Sequence, residues 1–180
     1  FRKSRRIFNL CIVFMNYYKK HIDSIHHFPV EGIIYRDIQP LLADSNVFMD
    51  AVKDMGRLVD YKNVKYWVGV ESRGFLFASA LALVYGGGVR IVRKKGKLPN
   101  RQLVSVKYGL EYGQDELEMA SIPKHDLGSC VIVDDVFATG GTIEAAKSLC
   151  KMVGLDVLDK LCLMDIGIVK IHDVKSLIKY

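Results

Sequence analysis

The stretch that decides the fold covers residues 131–142 and reads Val131-Ile132-Val133-Asp134-Asp135-Val136-Phe137-Ala138-Thr139-Gly140-Gly141-Thr142. It begins as a continuous apolar run, which is typical of a strand buried on both faces of a parallel sheet. Two acids follow, and a Gly-Gly turn then leads into a helix predicted over residues 142–152. This order predicts an anion site where the strand ends and the helix begins.

The residue types in this stretch suit a sugar phosphate. Backbone N–H groups at the start of a helix are unpaired and attract an anion, and glycines let the backbone approach it closely. Asp134 and Asp135 suit sugar hydroxyls or a hydrated divalent cation. The alternative, in which the two acids solvate a strand end and Thr142 caps the helix, does not explain the glycine turn. The residues expected to bind phosphate are Ala138, Thr139, Gly140, Gly141 and Thr142.

Outward from this stretch, strand patterns alternate with helix patterns, which predicts a mainly parallel sheet covered on both faces. Ser45 is the predicted N-cap of a helix whose apolar stripe runs from Phe48 to Val59. Glycines 109 and 113 predict a hairpin or flap. Strands are predicted at residues 66–70, 89–92, 103–108, 117–120, 129–134 and 157–164, and further helices at residues 15–27 and 75–85.

Composition narrows the class of protein. The chain has 180 residues, 50% of them hydrophobic, and a formal net charge of +6, which fits a globular domain with phosphate-rich small molecules or nucleic acid as partners. The cysteines, Cys11, Cys130, Cys150 and Cys162, form no CxxC pair, which favours reduced thiols and a cytoplasmic location.

Residues 1–14 are basic and then apolar, but the apolar run is too short to span a bilayer. They are either an upstream extension with Met15 as the natural start, which we favour, or a short amphipathic helix. The expected catalytic domain is therefore residues 15–180.

The stretch at residues 131–142 closely resembles the signature of the type I phosphoribosyltransferases, which use 5-phosphoribosyl pyrophosphate (PRPP). The resemblance implies an α/β fold with a mainly parallel central sheet flanked by helices, a hood and a flexible flap hairpin. It also implies that Asp134 and Asp135 bind the ribose hydroxyls, while residues 138–142 surround the 5′-phosphate.

Four further segments, in the same order along the chain, resemble the members of that family that use adenine. Departures are few: Val30, Glu31 and Gln39 differ from the usual residues, and Asp165 stands where a glutamate is usual. Asp165 leaves the hydrogen bonding of the base open. The segments are FPVEGIIYRDIQPLL (residues 28–42), ESRGF (71–75), RKKGKLP (93–99) and LEYG with LE (110–113 and 117–118).

The resemblance implies a role for individual residues. Arg73, Arg93 and Lys97 would bind pyrophosphate, although a solvated basic loop or a nucleic-acid patch would explain the last two on charge alone. Glu111 would exchange a proton with the purine N7, unless it is one more solvated flap charge. The remaining implied residues are Arg73 as a second catalytic group, Tyr112 on the flap, and Ile34, Tyr35, Arg36 and Ile166 around adenine.

The expected reaction joins adenine and PRPP to give AMP and pyrophosphate. Mg²⁺ would accompany PRPP near Asp134 and Asp135, and the resemblance implies a homodimer with neither nucleic acid nor membrane as a partner. Two alternatives remain. A regulator that binds PRPP without turnover would need an N-terminal DNA-binding domain, for which the residues before Phe28 are too few. A sister enzyme would use xanthine, guanine or orotate.

Overall fold

The structure, a computed structural model, describes residues 17–99, 102–110 and 113–180. The predicted extension at residues 1–14 and the predicted site residues Glu111 and Tyr112 lie outside the described residues. The chain divides into two compact units, one ending at Ala51 and the other running from Val52 to Tyr180. No helix in the described ranges is long and apolar enough to cross a membrane.

The second unit is built on a seven-stranded sheet, and its strands along the chain are β3 (Tyr66–Val70), β4 (Gly88–Lys94), β5 (Leu103–Leu110), β6 (Gly113–Ala120), β7 (Ser129–Phe137), β8 (Asp156–Asp165) and β9 (Lys175–Lys179). Across the sheet they lie in the order β5-β6-β4-β3-β7-β8-β9. The strands from β4 to β9 in that spatial order run parallel, and the β5–β6 hairpin joins antiparallel to β4. This confirms the predicted α/β fold and its hairpin.

Helices α3 (Gly74–Tyr85) and α4 (Gly141–Met152) cover opposite faces of this sheet. In β3, Val68 belongs to the buried cluster that also contains Leu149 of α4. The next residue, Gly69, faces the other way, and a Cβ there would lie 3.0 Å from the Cβ of Ala78 in α3. The prediction of a sheet covered on both faces is therefore confirmed.

The main strand, β7, is longer than predicted. The sequence suggested an end at Asp134, but the strand continues to Phe137 because β8 pairs with it as far as Phe137 and Asp165. The acids are therefore inside the strand rather than after it. Strand β9 was not predicted at all, because its lysines hide the apolar pattern.

The first unit contains an antiparallel hairpin of β1 (Asp23–His26) and β2 (Ile34–Asp37), followed by α1 (Gln39–Ala43). The predicted helix over residues 15–27 is wrong after residue 19. In its described part only residues 17–19 are helical, and a strand follows. Tyr18 and Ile22 are buried as expected, but Ile25 is exposed and pairs with Tyr35 in the hairpin. Cross-strand pairing outweighs the helical spacing here.

Helix α2 (Ser45–Arg57) is capped by Asp44 rather than by the predicted Ser45. The Oδ1 atom of Asp44 accepts the N–H groups of Asn46 at 3.0 Å and Val47 at 3.2 Å. Both residue types suit an N-cap, so the sequence alone left a one-residue ambiguity. Of the predicted stripe, Ala51, Val52, Met55 and Val59 are buried, while Leu58 is exposed. Phe48 is only half-buried, and the neighbouring Val47, which was not predicted, is buried instead.

Candidate active site

The acid pair lies near the carboxyl end of β7, and both side chains are buried. The N–H of Asp135 donates to Oδ1 of Asp134 at 2.9 Å. The first turn of α3 packs directly against this point, because Gly74 has no side chain. A Cβ on Gly74 would lie 2.6 Å from the carbonyl oxygen of Val133 and 3.1 Å from Oδ1 of Asp134.

Arg73, which precedes α3, places its charge beside the acids. Its Nε lies 2.8 Å from Oδ2 of Asp135, within ion-pair distance. That contact lacks the geometry of a hydrogen bond, and the buried Oδ2 has no hydrogen-bonding partner among the described residues. Burial raises the pKa of Asp135, and the charge of Arg73 opposes the rise. Burial also raises the pKa of Asp134, and the neighbouring charge of Asp135 adds to it.

The predicted phosphate loop joins β7 to α4. Gly140 adopts φ +88°, a left-handed conformation that favours glycine, and its carbonyl accepts the N–H of Glu144 at 3.0 Å. Helix α4 begins at Gly141, so the N–H groups of its first turn are available to an anion. A Cβ on Gly140 would lie 3.2 Å from the ring of Phe137. The loop therefore has the geometry that the sequence predicted.

Strand β5 of the hairpin packs against the same loop. A Cβ on Gly141 would lie 2.8 Å from the carbonyl oxygen of Gly109 and 3.3 Å from the ring of Tyr108. Tyr108 also forms a side-chain hydrogen bond with Thr142, and burial raises the pKa of its hydroxyl. The second glycine of the loop thus serves the hairpin, a role that the sequence did not reveal.

The two basic residues predicted for pyrophosphate, Arg93 and Lys97, converge on one carboxylate, that of Glu71. Lys97 Nζ lies 2.7 Å and Arg93 Nη2 3.4 Å from its Oε1, and the N–H of Lys94 donates to Oε2 at 2.8 Å. Burial raises the pKa of Glu71, but these hydrogen bonds outweigh it and hold the pKa at about 2. The sequence offered two signals for Glu71, since it follows a buried strand directly and begins the ESRGF segment that carries the family resemblance.

Acids on β6 hold the backbone and lysines of the same loop. Lys94 Nζ lies 3.0 Å from Asp115, and Lys95 Nζ lies 2.9 Å from Glu116. The buried Glu118 accepts the N–H of Gly96 at 2.9 Å. The 93–97 loop is therefore fastened both to β6 and to the turn after β3.

On the other side of the phosphate loop, the chain after β8 carries Ile166, which is half-buried. Its N–H donates to the carbonyl of Phe137 at 3.1 Å. Both carboxylate oxygens of Asp165 have a partner. Oδ1 accepts the N–H of Gly167 at 2.8 Å, and Oδ2 lies 3.0 Å from His172 Nε2. Its carboxylate therefore holds the backbone and the histidine of its own loop. A cavity of about 430 Å³ lies between this loop and residues 139–141.

In the first unit, the residues predicted to contact adenine lie on β2. Ile34 is 43% exposed, so it is not a core residue. The ring of Tyr35 stands edge-on to that of Phe28, with centroids 5.2 Å apart, and Arg36 Nη1 donates to Ser24 Oγ. Residues two apart in a strand direct their backbone groups to the same edge, so Ile34 and Arg36 can act together.

A family model defines the class of protein. The model described as "Phosphoribosyl transferase domain" matches residues 50–177. This range includes strands β3 to β8, the acid pair and the phosphate loop.

Individual relatives narrow the class. Adenine phosphoribosyltransferase from Hydrogenovibrio crunogenus is 47% identical over 148 residues, which are 82% of this chain and 84% of the relative. The crystal structure of adenine phosphoribosyltransferase from Thermoanaerobacter pseudethanolicus is 35% identical, with a TM-score of 0.84 over 92% of this chain and 99% of that one. The Saccharomyces cerevisiae enzyme, solved in a complex that contains adenine, is 32% identical, with a TM-score of 0.81 over 93% and 99%. The chain therefore belongs to the adenine phosphoribosyltransferase family.

Proposed function

We propose that this chain transfers the phosphoribosyl group of PRPP to adenine, giving AMP and pyrophosphate in purine salvage. The observation that carries the proposal is the buried acid pair one loop before a left-handed Gly140 and a helix N-terminus. This arrangement offers acceptors for ribose hydroxyls on the strand and donors for a phosphate in the loop that follows it. The relatives named for this reaction support the choice of adenine.

Within this proposal, residues 138–142 bind the 5′-phosphate, and Asp134 and Asp135 bind the ribose hydroxyls. Oδ2 of Asp135 accepts no hydrogen bond from the described residues, although Arg73 lies within ion-pair distance, and this supports the second role because a ligand hydroxyl could supply the missing donor. The charge of Arg73 opposes the rise that burial causes in the pKa of Asp135, and it contributes positive charge on the side where pyrophosphate leaves.

The proposed pyrophosphate ligands are Arg73, Arg93 and Lys97. Glu71 cancels part of their charge but also fixes the last two at a common point, which lowers the entropic cost of gathering them around a ligand. For adenine, the proposed contacts of the first unit are the backbones of Ile34 and Arg36 and the ring of Tyr35. The proposed contact of the second unit is Ile166.

Magnesium fits the residues present only as a partner of the substrate. In the described parts of the chain, no group of three or more potential metal ligands lies together. The two carboxylates of Asp134 and Asp135 match the few protein ligands that Mg²⁺ takes when phosphate and water supply the rest. A bound Mg²⁺ would neutralise charge on the pyrophosphate.

The chemical step breaks the bond between C1 of the ribose and pyrophosphate and joins C1 to a purine nitrogen. Positive charge develops on the sugar, and water must be excluded from it. We propose that the hairpin of β5 and β6 provides that exclusion with the help of Tyr112, and that Glu111 moves the proton of the purine. The packing of Gly109 against Gly141 supports the hairpin's role, because it brings β5 to the phosphate loop.

The decisive experiment is a base-preference assay. The purified protein, given PRPP and Mg²⁺, should form AMP from adenine and should use guanine, xanthine and orotate far more slowly. Excess EDTA should abolish AMP formation, and added Mg²⁺ or Mn²⁺ should restore it. A preference for another base would assign the chain to a sister enzyme, whereas PRPP binding without turnover on any base would assign it to a regulator.

We also propose a homodimer, supported by an exposed apolar patch on α3 and β4. Leu76, Leu83 and Val84 of α3 are exposed, and Leu83 is 88% exposed. Val89 and Ile91 of β4 are also exposed and lie on the sheet face that α3 covers, since Ile91 pairs with Gly69. Several exposed apolar side chains on neighbouring elements are typical of protein interfaces. A cytoplasmic location is proposed from the free, buried Cys130, Cys150 and Cys162.

A further inference from the structure

His172 lies in the loop between β8 and β9, a segment with no motif in the sequence that suggested a function. Its side chain is 14% exposed, and both ring nitrogens have partners. Nδ1 accepts the N–H of Val174 at 3.2 Å, so Nε2 carries the proton that is donated to Asp165 Oδ2 at 3.0 Å. The histidine therefore fastens the end of its loop to the end of β8.

The same ring connects this loop to the phosphate loop. It packs against the ring of Phe137, with centroids 4.3 Å apart. Phe137 is the residue before the phosphate loop, its carbonyl accepts the N–H of Ile166, and its ring lies beside Gly140. His172 therefore supports Ile166 in two ways. It orients the neighbouring Asp165, and its ring packs against Phe137, whose carbonyl accepts the Ile166 N–H.

From this geometry we propose that His172 is a positioning residue that sets the distance between Ile166 and the phosphate loop. The inference rests on the proposed function, in which Ile166 contacts adenine and residues 138–142 bind the 5′-phosphate. His172 has no hydrogen-bonding nitrogen left for a ligand, so it acts through Asp165. The phosphate loop has its own supports in Gly140 and α4 and does not need the histidine.

This role predicts a selective effect on ligands. AMP has both a base and a phosphate, whereas ribose 5-phosphate has only the part that the phosphate loop binds. A loosened Ile166 should therefore weaken AMP and spare ribose 5-phosphate. A histidine that only stabilised the fold would affect the two ligands equally.

Two variants separate the ring from its hydrogen bonds. His172→Phe keeps a ring against Phe137 but leaves Asp165 Oδ2 without its donor, and it should weaken AMP roughly tenfold. Ribose 5-phosphate should stay within about twofold in the same variant. His172→Gln places an amide N–H within reach of Asp165 and should keep AMP within about threefold of the wild type.

Calorimetric titration of the full-length wild type and of each variant with AMP and with ribose 5-phosphate measures these affinities. His125→Phe, a substitution at an exposed histidine, is the matched control and should change neither. Unchanged AMP affinity in His172→Phe, an equal loss for both ligands, or a loss in His172→Gln as large as in His172→Phe would overturn the inference. A wild-type protein that bound neither ligand would instead overturn the proposed function.

Discussion

At the scale of single residues, Gly74 shows how a missing side chain shapes the site. The close approach of α3 to the acid pair depends on it, because a Cβ would meet a backbone oxygen that has no rotamer to change. We expect Gly74→Ala to lower the free energy of unfolding by about 1–3 kcal/mol, the usual cost of overpacking. PRPP affinity should fall as well, since Asp134 must shift. Urea denaturation and calorimetry measure the two effects, and Gly109→Ala, which meets no atom within 4 Å, is the control.

Glu71 gives a second prediction, for the pH dependence of stability. Its pKa is about 2 in the folded protein, against a usual value of 4.5. A lowered pKa stabilises the fold above pH 4.5, and this stabilisation is lost as the pH falls from 4.5 toward 2. The difference in unfolding free energy between the wild type and Glu71→Gln should therefore be largest near neutral pH and shrink below pH 4.5. Denaturant titrations at several pH values test this, and a constant difference would contradict it.

Glu111 gives a third prediction, one that concerns chemistry. If it moves the purine proton, Glu111→Gln should lower turnover about 10²-fold with little change in PRPP affinity. Glu116→Gln removes a charge from the same hairpin and should stay within a few-fold of the wild type. Steady-state kinetics at saturating PRPP, with affinity measured separately, distinguish the two variants. If Glu111→Gln changed only KM, Glu111 would act in closure of the hairpin rather than in proton transfer.

How far the sequence reached at this scale depends on how local each contact is. The left-handed Gly140 and the helix after it follow from neighbouring residues, so the loop was predictable. The attachment of Lys97 to Glu71 joins residues 26 positions apart, and no local pattern encodes it. The same holds for Asp165, whose partner His172 depends on the path of a loop.

At the scale of elements, β6 acts as a support for the 93–97 loop. Glu118 is buried and accepts a backbone N–H from that loop, so its loss should free the loop and scatter Arg93 and Lys97. We expect Glu118→Ala to raise the KM for PRPP roughly tenfold while the KM for adenine stays within about threefold. Glu116→Ala breaks the pair with the exposed Lys95 and a side-chain hydrogen bond with Ser105, leaves the Glu118 contact with the loop backbone intact, and should change neither constant. Equal changes in both variants would contradict a specific role for Glu118.

Elements with a clear period were predictable, and those that depend on pairing were not. Strand β3 begins and ends where predicted, and the apolar run of β7 was recognised. Strand β1 was mistaken for helix because Tyr18, Ile22 and Ile25 also fit a helical spacing. The extra residues of β7 are strand because β8 provides partners, which is a property of the sheet rather than of the segment.

At the scale of the whole molecule, the exposed patch on α3 and β4 predicts self-association. Leu83→Lys places a charge at its most exposed apolar position and should convert the dimer to monomer without loss of secondary structure. Sedimentation velocity measures the mass, and circular dichroism checks the fold. Ile171→Lys is the control, because Ile171 is 94% exposed but lies in the loop between β8 and β9, outside the patch. A dimer that persists in Leu83→Lys would place the interface elsewhere.

Strand β9 has one further consequence, for aggregation. It forms an end of the seven-stranded sheet and pairs with β8 along one side. Within the described ranges no second strand pairs with its other side, and an edge of this kind is a template on which another chain can add a strand. Lys175 and Lys179 stand at the two ends of β9 and would bring like charges together if two such edges met. The lysines that hide this strand in the sequence are therefore also its protection against edge-to-edge fibre growth.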